Sequence, residues 1–200
     1  MVMEKGGWSL GQVGIPLVTY PLWVAGRYYS SPATHTLSTS NTAERLFTFP
    51  IYVPGVNGCA IDELGLEITT GGTAGGLARV GLYADKEGIP WDLLLDAGTI
   101  PIDGVGWQHV DVALRLRGWV WVAIAIGKYA SKPTYRASNG QVTLLGYNGT
   151  IDVRNIIGYT CTCENGNIQV GLYARFPTNH EHTALPGLYG VFPRLMVRAA

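Results

Sequence analysis

The sequence predicts an all-β fold, an antiparallel β-sandwich of jelly-roll type with an irregular N-terminal arm. Three observations lead there. Apolar residues recur with a period of two through most of the chain, turn dipeptides separate the alternating runs, and no stretch carries a convincing helical stripe. The 200 residues suffice for one large domain with a core of its own, without disulfides or metal. The sandwich is expected over Ala25–Ala200, with Met1–Val24 as the arm.

The arm comes first. Gly6, Gly7, Gly11, Gly14, Pro16 and Pro21 preclude regular structure, yet Trp8, Leu10, Val13, Ile15, Leu17, Val18, Leu22 and Trp23 are too apolar to stay in water. Such a segment lies against something, either its own domain or a neighbouring subunit. Strands are then expected at Arg45–Val53, Ala60–Thr69, Leu77–Ala84, Leu93–Ile102, His109–Arg117, Trp119–Ile126, Gln141–Leu145, Ile151–Ile157, Asn167–Arg175 and Val191–Arg198. Turn pairs such as Asn57-Gly58, Gly71-Gly72, Gly75-Gly76, Asn139-Gly140 and Asn165-Gly166 punctuate them.

His109–Arg117 alternates most cleanly. Val110, Val112, Leu114 and Leu116 point one way, and His109, Asp111, Arg115 and Arg117 the other. In Ala60–Thr69, Leu64, Leu66 and Ile68 oppose Glu63 and Glu67. Trp119–Ile126 breaks the rule, because Val120, Val122, Ile124 and Ile126 back onto Trp119, Trp121, Ala123 and Ala125. A strand apolar on both faces is covered on both. The cover is a loop or terminal arm of the same chain, a neighbouring subunit, or a sugar stacked on Trp119 and Trp121, and the second reading makes Trp8, Trp23, Trp119 and Trp121 candidate interface residues.

Composition narrows the function. Lys+Arg and Asp+Glu balance at 14 each, so no basic field attracts nucleic acid or an anionic membrane. Charged residues make up 14%, against roughly 25% in an ordinary soluble domain. So little charge fits a surface largely covered by neighbours. The first residues lack the basic region and apolar run of a signal peptide, and the longest apolar run, Trp119–Gly127, is about half a membrane span. A soluble protein is expected. Cys59, Cys161 and Cys163 are too few for a secreted disulfide framework.

The search for chemistry returns little. No G-x-S-x-G, H-E-x-x-H or P-loop pattern occurs, and none of His35, His109, His180 and His182 sits beside a nucleophile motif. Cys161-x-Cys163 with His180-x-His182 places pairs at the same-face spacing of a strand, as a tetrahedral zinc would require. Buried thiols and solvent-facing loop histidines explain the same residues. Asp85-Lys86-Glu87-Gly88 with Asp92 and Asp96 could ring a calcium, but Lys86 interrupts the set and a loop with solvated charges fits better. Paired carboxylates for glycoside cleavage would have to come from Asp62, Glu63, Glu67, Asp111 or Asp152. No catalytic residue, cofactor or metal is therefore expected.

Several stretches together resemble the β-sandwich module of tailed-phage virion proteins of the capsid-decoration, head-fibre and tail-fibre type. They are Gly26-Arg27-Tyr28-Tyr29-Ser30, Arg45–Pro54, Ala78–Asp85, Leu93–Thr99 and Pro193–Ala199. The resemblance implies a non-enzymatic structural protein on the virion, assembled in the host cytoplasm among other capsid or tail proteins as a homo-oligomer, often a trimer. It also implies an alternative, a carbohydrate-binding module that attaches the particle to a host glycan. Trp91, Trp107 and Tyr135, near expected loops, are the candidate ligand residues for that alternative. Coiled-coil stalks and collagen-like repeats are absent from the sequence, which favours a compact component over a complete fibre.

Overall fold

The computed structural model describes residues 23–30, 34–39, 45–126, 130–139, 159–162 and 191–200. Among these residues the chain is all-β, with two antiparallel sheets packed as a sandwich. The strands are β1 (Tyr28–Tyr29), β2 (Thr34–Thr39), β3 (Arg45–Val53), β4 (Cys59–Thr70), β5 (Leu77–Lys86), β6 (Ile89–Pro101), β7 (Gly106–Leu116), β8 (Gly118–Ile126), β9 (Thr134–Asn139), β10 (Tyr159–Thr162), β11 (Val191–Pro193) and β12 (Met196–Ala199).

Sheet A runs β1-β12-β4-β9-β11, with β7 on the other flank of β4 and β2 on the other flank of β9. Sheet B runs β10-β3-β8-β5-β6. The core lies between them. Ile61, Leu64, Leu66 and Ile68 of β4 meet Phe47, Phe49, Ile51 and Val53 of β3, Val80 and Leu82 of β5, and Val120, Val122, Ile124 and Ile126 of β8. Ile61 and Leu64 face inward three positions apart because the register of β4 shifts between Ile61 and Glu63 against β7. That shift throws Asp62 and Glu63 onto the outer side together.

Expected and observed strands agree closely from β3 to β8. Leu77–Ala84 and Leu93–Ile102 prove to be parts of one longer hairpin. Lys86 pairs with Ile89 across a two-residue turn, and Glu87 and Gly88 both take positive φ, 56° and 81°. That is the turn whose twist suits a hairpin. The charges around it are not a loose loop. Asp96 takes a bidentate grip from Arg79, and Asp85 accepts the Trp121 indole N–H at 2.8 Å. Val191–Arg198, expected as one strand, is interrupted at Arg194 and Leu195 between β11 and β12. The expected strands Gln141–Leu145, Ile151–Ile157 and Asn167–Arg175 lie outside the described residues, as does all but the end of the expected arm.

β8 is buried on both faces, as its double apolar pattern requires. Trp121, Ala123 and, beside them, Leu46, Thr48 and Tyr83 are enclosed on the side away from the core. The row opens only at its start, at Trp119.

Candidate functional site

Two outward surfaces carry side chains arranged for contact. The first is on sheet B. Trp119 and Tyr52 are direct cross-strand partners between β8 and β3, with ring centroids 5.2 Å apart and planes inclined by 60°. They are 47% and 41% exposed. Aromatic cross-strand pairs stabilise a sheet, but rings this open also leave a large apolar area in water. Val56, in the β3–β4 connection, is the most exposed large apolar residue among the described ones, and its carbonyl accepts from Arg117 just before β8. Tyr52, Val56 and Trp119 thus gather at one end of the sandwich.

The second surface is the outer side of sheet A, organised by Glu63. This carboxylate is only 3% exposed, on a strand position whose alternation points away from the core. It is closed over by its own partners. The Tyr28 hydroxyl donates to Oε1 at 2.6 Å, the Trp107 indole N–H donates to the same oxygen at 2.8 Å, and Arg198 Nη1 lies 2.9 Å from Oε2. Arg198 also grips Asp62, through Nε at 2.8 Å and Nη2 at 3.1 Å. Charge-assisted bonds of this kind offset the desolvation of a buried carboxylate.

Trp107 reaches Glu63 by lying across β4. A Cβ placed on Gly65 would come within 2.4 Å of the indole Cζ2 and 2.8 Å of Cε2, so the ring occupies the space that any side chain at position 65 would fill. Tyr28 stands against this ring at 69°, with centroids 4.8 Å apart. His109 and Asp111 follow Trp107 on the same face of β7, and their ligand atoms lie within 4.8 Å of one another and of the Glu63 carboxylate. Further along, Glu67 takes a bidentate pair from Arg136, with Arg194 at 3.8 Å.

The electrostatics follow from these pairs. The Arg198 hydrogen bonds hold the Asp62 carboxyl below its ordinary pKa, and those of Arg136 do the same for Glu67. Burial, and then the bond to Glu63, raise the Tyr28 phenol. Burial pushes Arg194 down, and its Nε has no hydrogen-bond partner among the described residues.

The residues singled out from sequence fare unevenly. Trp121, expected at an interface, is completely buried within its own chain, so it offers nothing to a neighbour. Tyr135, expected to stack a ligand, is 1% exposed and part of the core, because β9 turns its ring inward beside Ile68. Trp91 is half-buried, with the Lys86 ammonium 4.0 Å over its ring. Trp23 stacks on Tyr29 at 4.5 Å in nearly parallel planes and packs against the core. Trp107 and Trp119 remain accessible, on different sheets. Trp8, Cys163, His180 and His182 lie outside the described residues, and Cys161 falls in the backbone of β10.

Tyr28, Arg198 and Tyr52 were not singled out from sequence as site residues, and Glu63 was named only among five carboxylates that glycoside cleavage would need. Glu63 gains its importance from partners 35 and 44 positions away, which no local pattern announces. The one sequence signal was Gly65, a glycine breaking an otherwise regular strand, which marks a close approach by another group.

No protein-family model and no curated protein matches the chain. Among solved structures it is similar to the crystal structure of the cysteine protease and lectin-like domains of Cwp84, a surface layer associated protein of Clostridium difficile. The identity is 11% and the TM-score 0.46, over 78% of this chain and 32% of that one. The chain therefore spans about a third of the length of that structure.

Proposed function

We propose that the chain is a non-enzymatic structural subunit of a phage particle surface, of the capsid-decoration, head-fibre or tail-associated kind. It joins its neighbours through apolar surface. The observation that carries this reading is the exposed Tyr52–Trp119 pair, open at the start of β8, a strand otherwise buried on both faces. Exposed aromatic residues grouped with an exposed valine, on a chain with 14% charged residues, fit a contact that becomes buried on assembly.

The carboxylates support the non-enzymatic part. Asp62, Glu63 and Glu67, three of the five acids that glycoside cleavage would draw on, are each paired with an arginine, while Asp111 is exposed and Asp152 lies outside the described residues. That pairing holds the Asp62 and Glu67 carboxyls below their ordinary pKa values, the opposite of what a general acid requires. Other virion proteins are the partners in this reading, with the chain itself as a homo-oligomer, a trimer if it follows the resemblance above.

Light scattering coupled to size-exclusion chromatography, together with a binding assay on particles lacking the subunit, tests the assignment. A stable oligomer or saturable particle binding is expected. A monomer at high concentration that does not bind particles overturns it.

A further inference from the structure

We infer that the outer face of sheet A binds a neutral saccharide ring, with Trp107 as its floor and Tyr28, Asp62, His109 and Asp111 around it. The inference does not rest on the particle-surface assignment.

The floor is fixed before any ligand arrives. Trp107 lies on the backbone of β4 where Gly65 leaves room, and its indole N–H is held by Glu63. Tyr28 is held by the same carboxylate oxygen and stands at 69° to the indole, so the two rings form an inside corner. A pyranose has an apolar C–H face that packs on an aromatic ring and a rim of hydroxyls that need donors and acceptors. Rigid aromatic surface with a few placed polar groups is the composition of a small-molecule site.

The rim suits that occupant. His109 and Asp111 sit beside Trp107 at two-residue spacing, their side chains 45% and 88% exposed. They are 4.0 Å apart, beyond hydrogen-bond distance of each other, so both keep hydrogen-bonding capacity for hydroxyls. Asp62, kept ionised by Arg198, adds an acceptor. Three carboxylates, Asp62, Glu63 and Asp111, stand against one guanidinium, Arg198, a balance that repels phosphate and other anions and selects a neutral sugar. A metal ion is a poorer occupant, although Glu63, His109 and Asp111 converge, because Glu63 already accepts from Tyr28, Trp107 and Arg198.

The test is a printed array of neutral mono- to tetrasaccharides of glucose, galactose, mannose and N-acetylglucosamine, probed with the full chain, and calorimetric titration of the retained sugar. Asp111→Ala and His109→Ala should each weaken binding about tenfold, the loss of one good hydrogen bond to a charged or polar group, without lowering the melting temperature. Trp119→Ala should leave affinity unchanged. The inference is overturned if folded protein retains no sugar on the array. It is also overturned if binding survives both substitutions intact, or if Trp119→Ala abolishes it. A monomer that ignores particles yet binds sugar removes the particle assignment alone.

Discussion

Tyr28 and Arg198 are direct partners across the β1–β12 ladder, and both reach over to the carboxylate of Glu63 on β4. A strand of two residues is thereby tied to the centre of sheet A by side chains as well as by its backbone. Gly26 N–H to Ala199 O at 2.8 Å, and Ala199 N–H to Arg27 O at 3.0 Å, extend the same seam.

Removing Glu63 should therefore be costly. Glu63→Ala strips the acceptor from the Tyr28 hydroxyl, the Trp107 indole and one edge of Arg198, while Arg198 keeps Asp62. The expected loss is about 2–4 kcal/mol of unfolding free energy, measured by urea denaturation. Glu63→Gln preserves shape and one oxygen and should lose less than half as much.

Gly65→Ala should displace the Trp107 ring from its bed. Overpacking of this kind costs about 1–3 kcal/mol, and near-ultraviolet circular dichroism should report the moved indole. Combining Gly65→Ala with Trp107→Ala should cost less than the two separate losses summed, since the added methyl then meets no ring.

Acid should weaken the fold through Asp62 and Glu67. Both have folded pKa values below their ordinary values of 3.8 and 4.5. The unfolded chain therefore takes up protons first as pH falls, and the stability these pairs contribute is complete above about pH 4.5 and lost progressively below it. Arg136→Gln should make the acid side of the stability–pH curve shallower, as followed by thermal melts from pH 7 to pH 2.5, on the order of the range in which carboxylates titrate.

The β5–β6 turn can be improved. Glu87 holds φ at 56°, a region that asparagine and glycine tolerate better. Glu87→Asn should raise stability by about 0.5–1 kcal/mol, visible as a higher urea midpoint with an unchanged slope.

Opening the sheet B patch should affect assembly more than folding. Tyr52→Ser with Trp119→Ser removes two half-exposed rings that pack on each other and should lower monomer stability by about 1–2 kcal/mol. In the proposed reading it abolishes the oligomer or the particle binding. Light scattering on the variant decides.

The sequence exposed the parts of this molecule whose cause is local. Alternation in His109–Arg117 and double coverage of Trp119–Ile126 reflect which side of a single strand is wet, and a period of two records that directly. Tyr135 was misjudged because β9 is short and follows a Ser-Lys-Pro stretch, so its inward parity is set by pairing with Ile68 and Thr70 of β4 rather than by its own pattern. The Glu63 cluster was invisible for a related reason. A register shift at Asp62 and three partners from β1, β7 and β12 create it, and each is remote in the chain. Trp121 shows the limit from the other side. Periodicity said that its face was covered, but not that the cover belonged to the same molecule.

The central position of β4 bears on how the chain acquires its structure. Four of the five strands of sheet B, β3, β5, β6 and β8, are complete once residue 126 has been made, and three of their four pairings join β3, β5, β6 and β8 to one another. β4 can pair with β7 at once, but its other flank must wait for β12, and so must β1, whose one ladder among the described residues is to β12. The flank of β4 that takes β12 stays unpaired until Met196–Ala199 has been made, so closure of sheet A is dominated by contacts distant in sequence, and folding should be correspondingly slow.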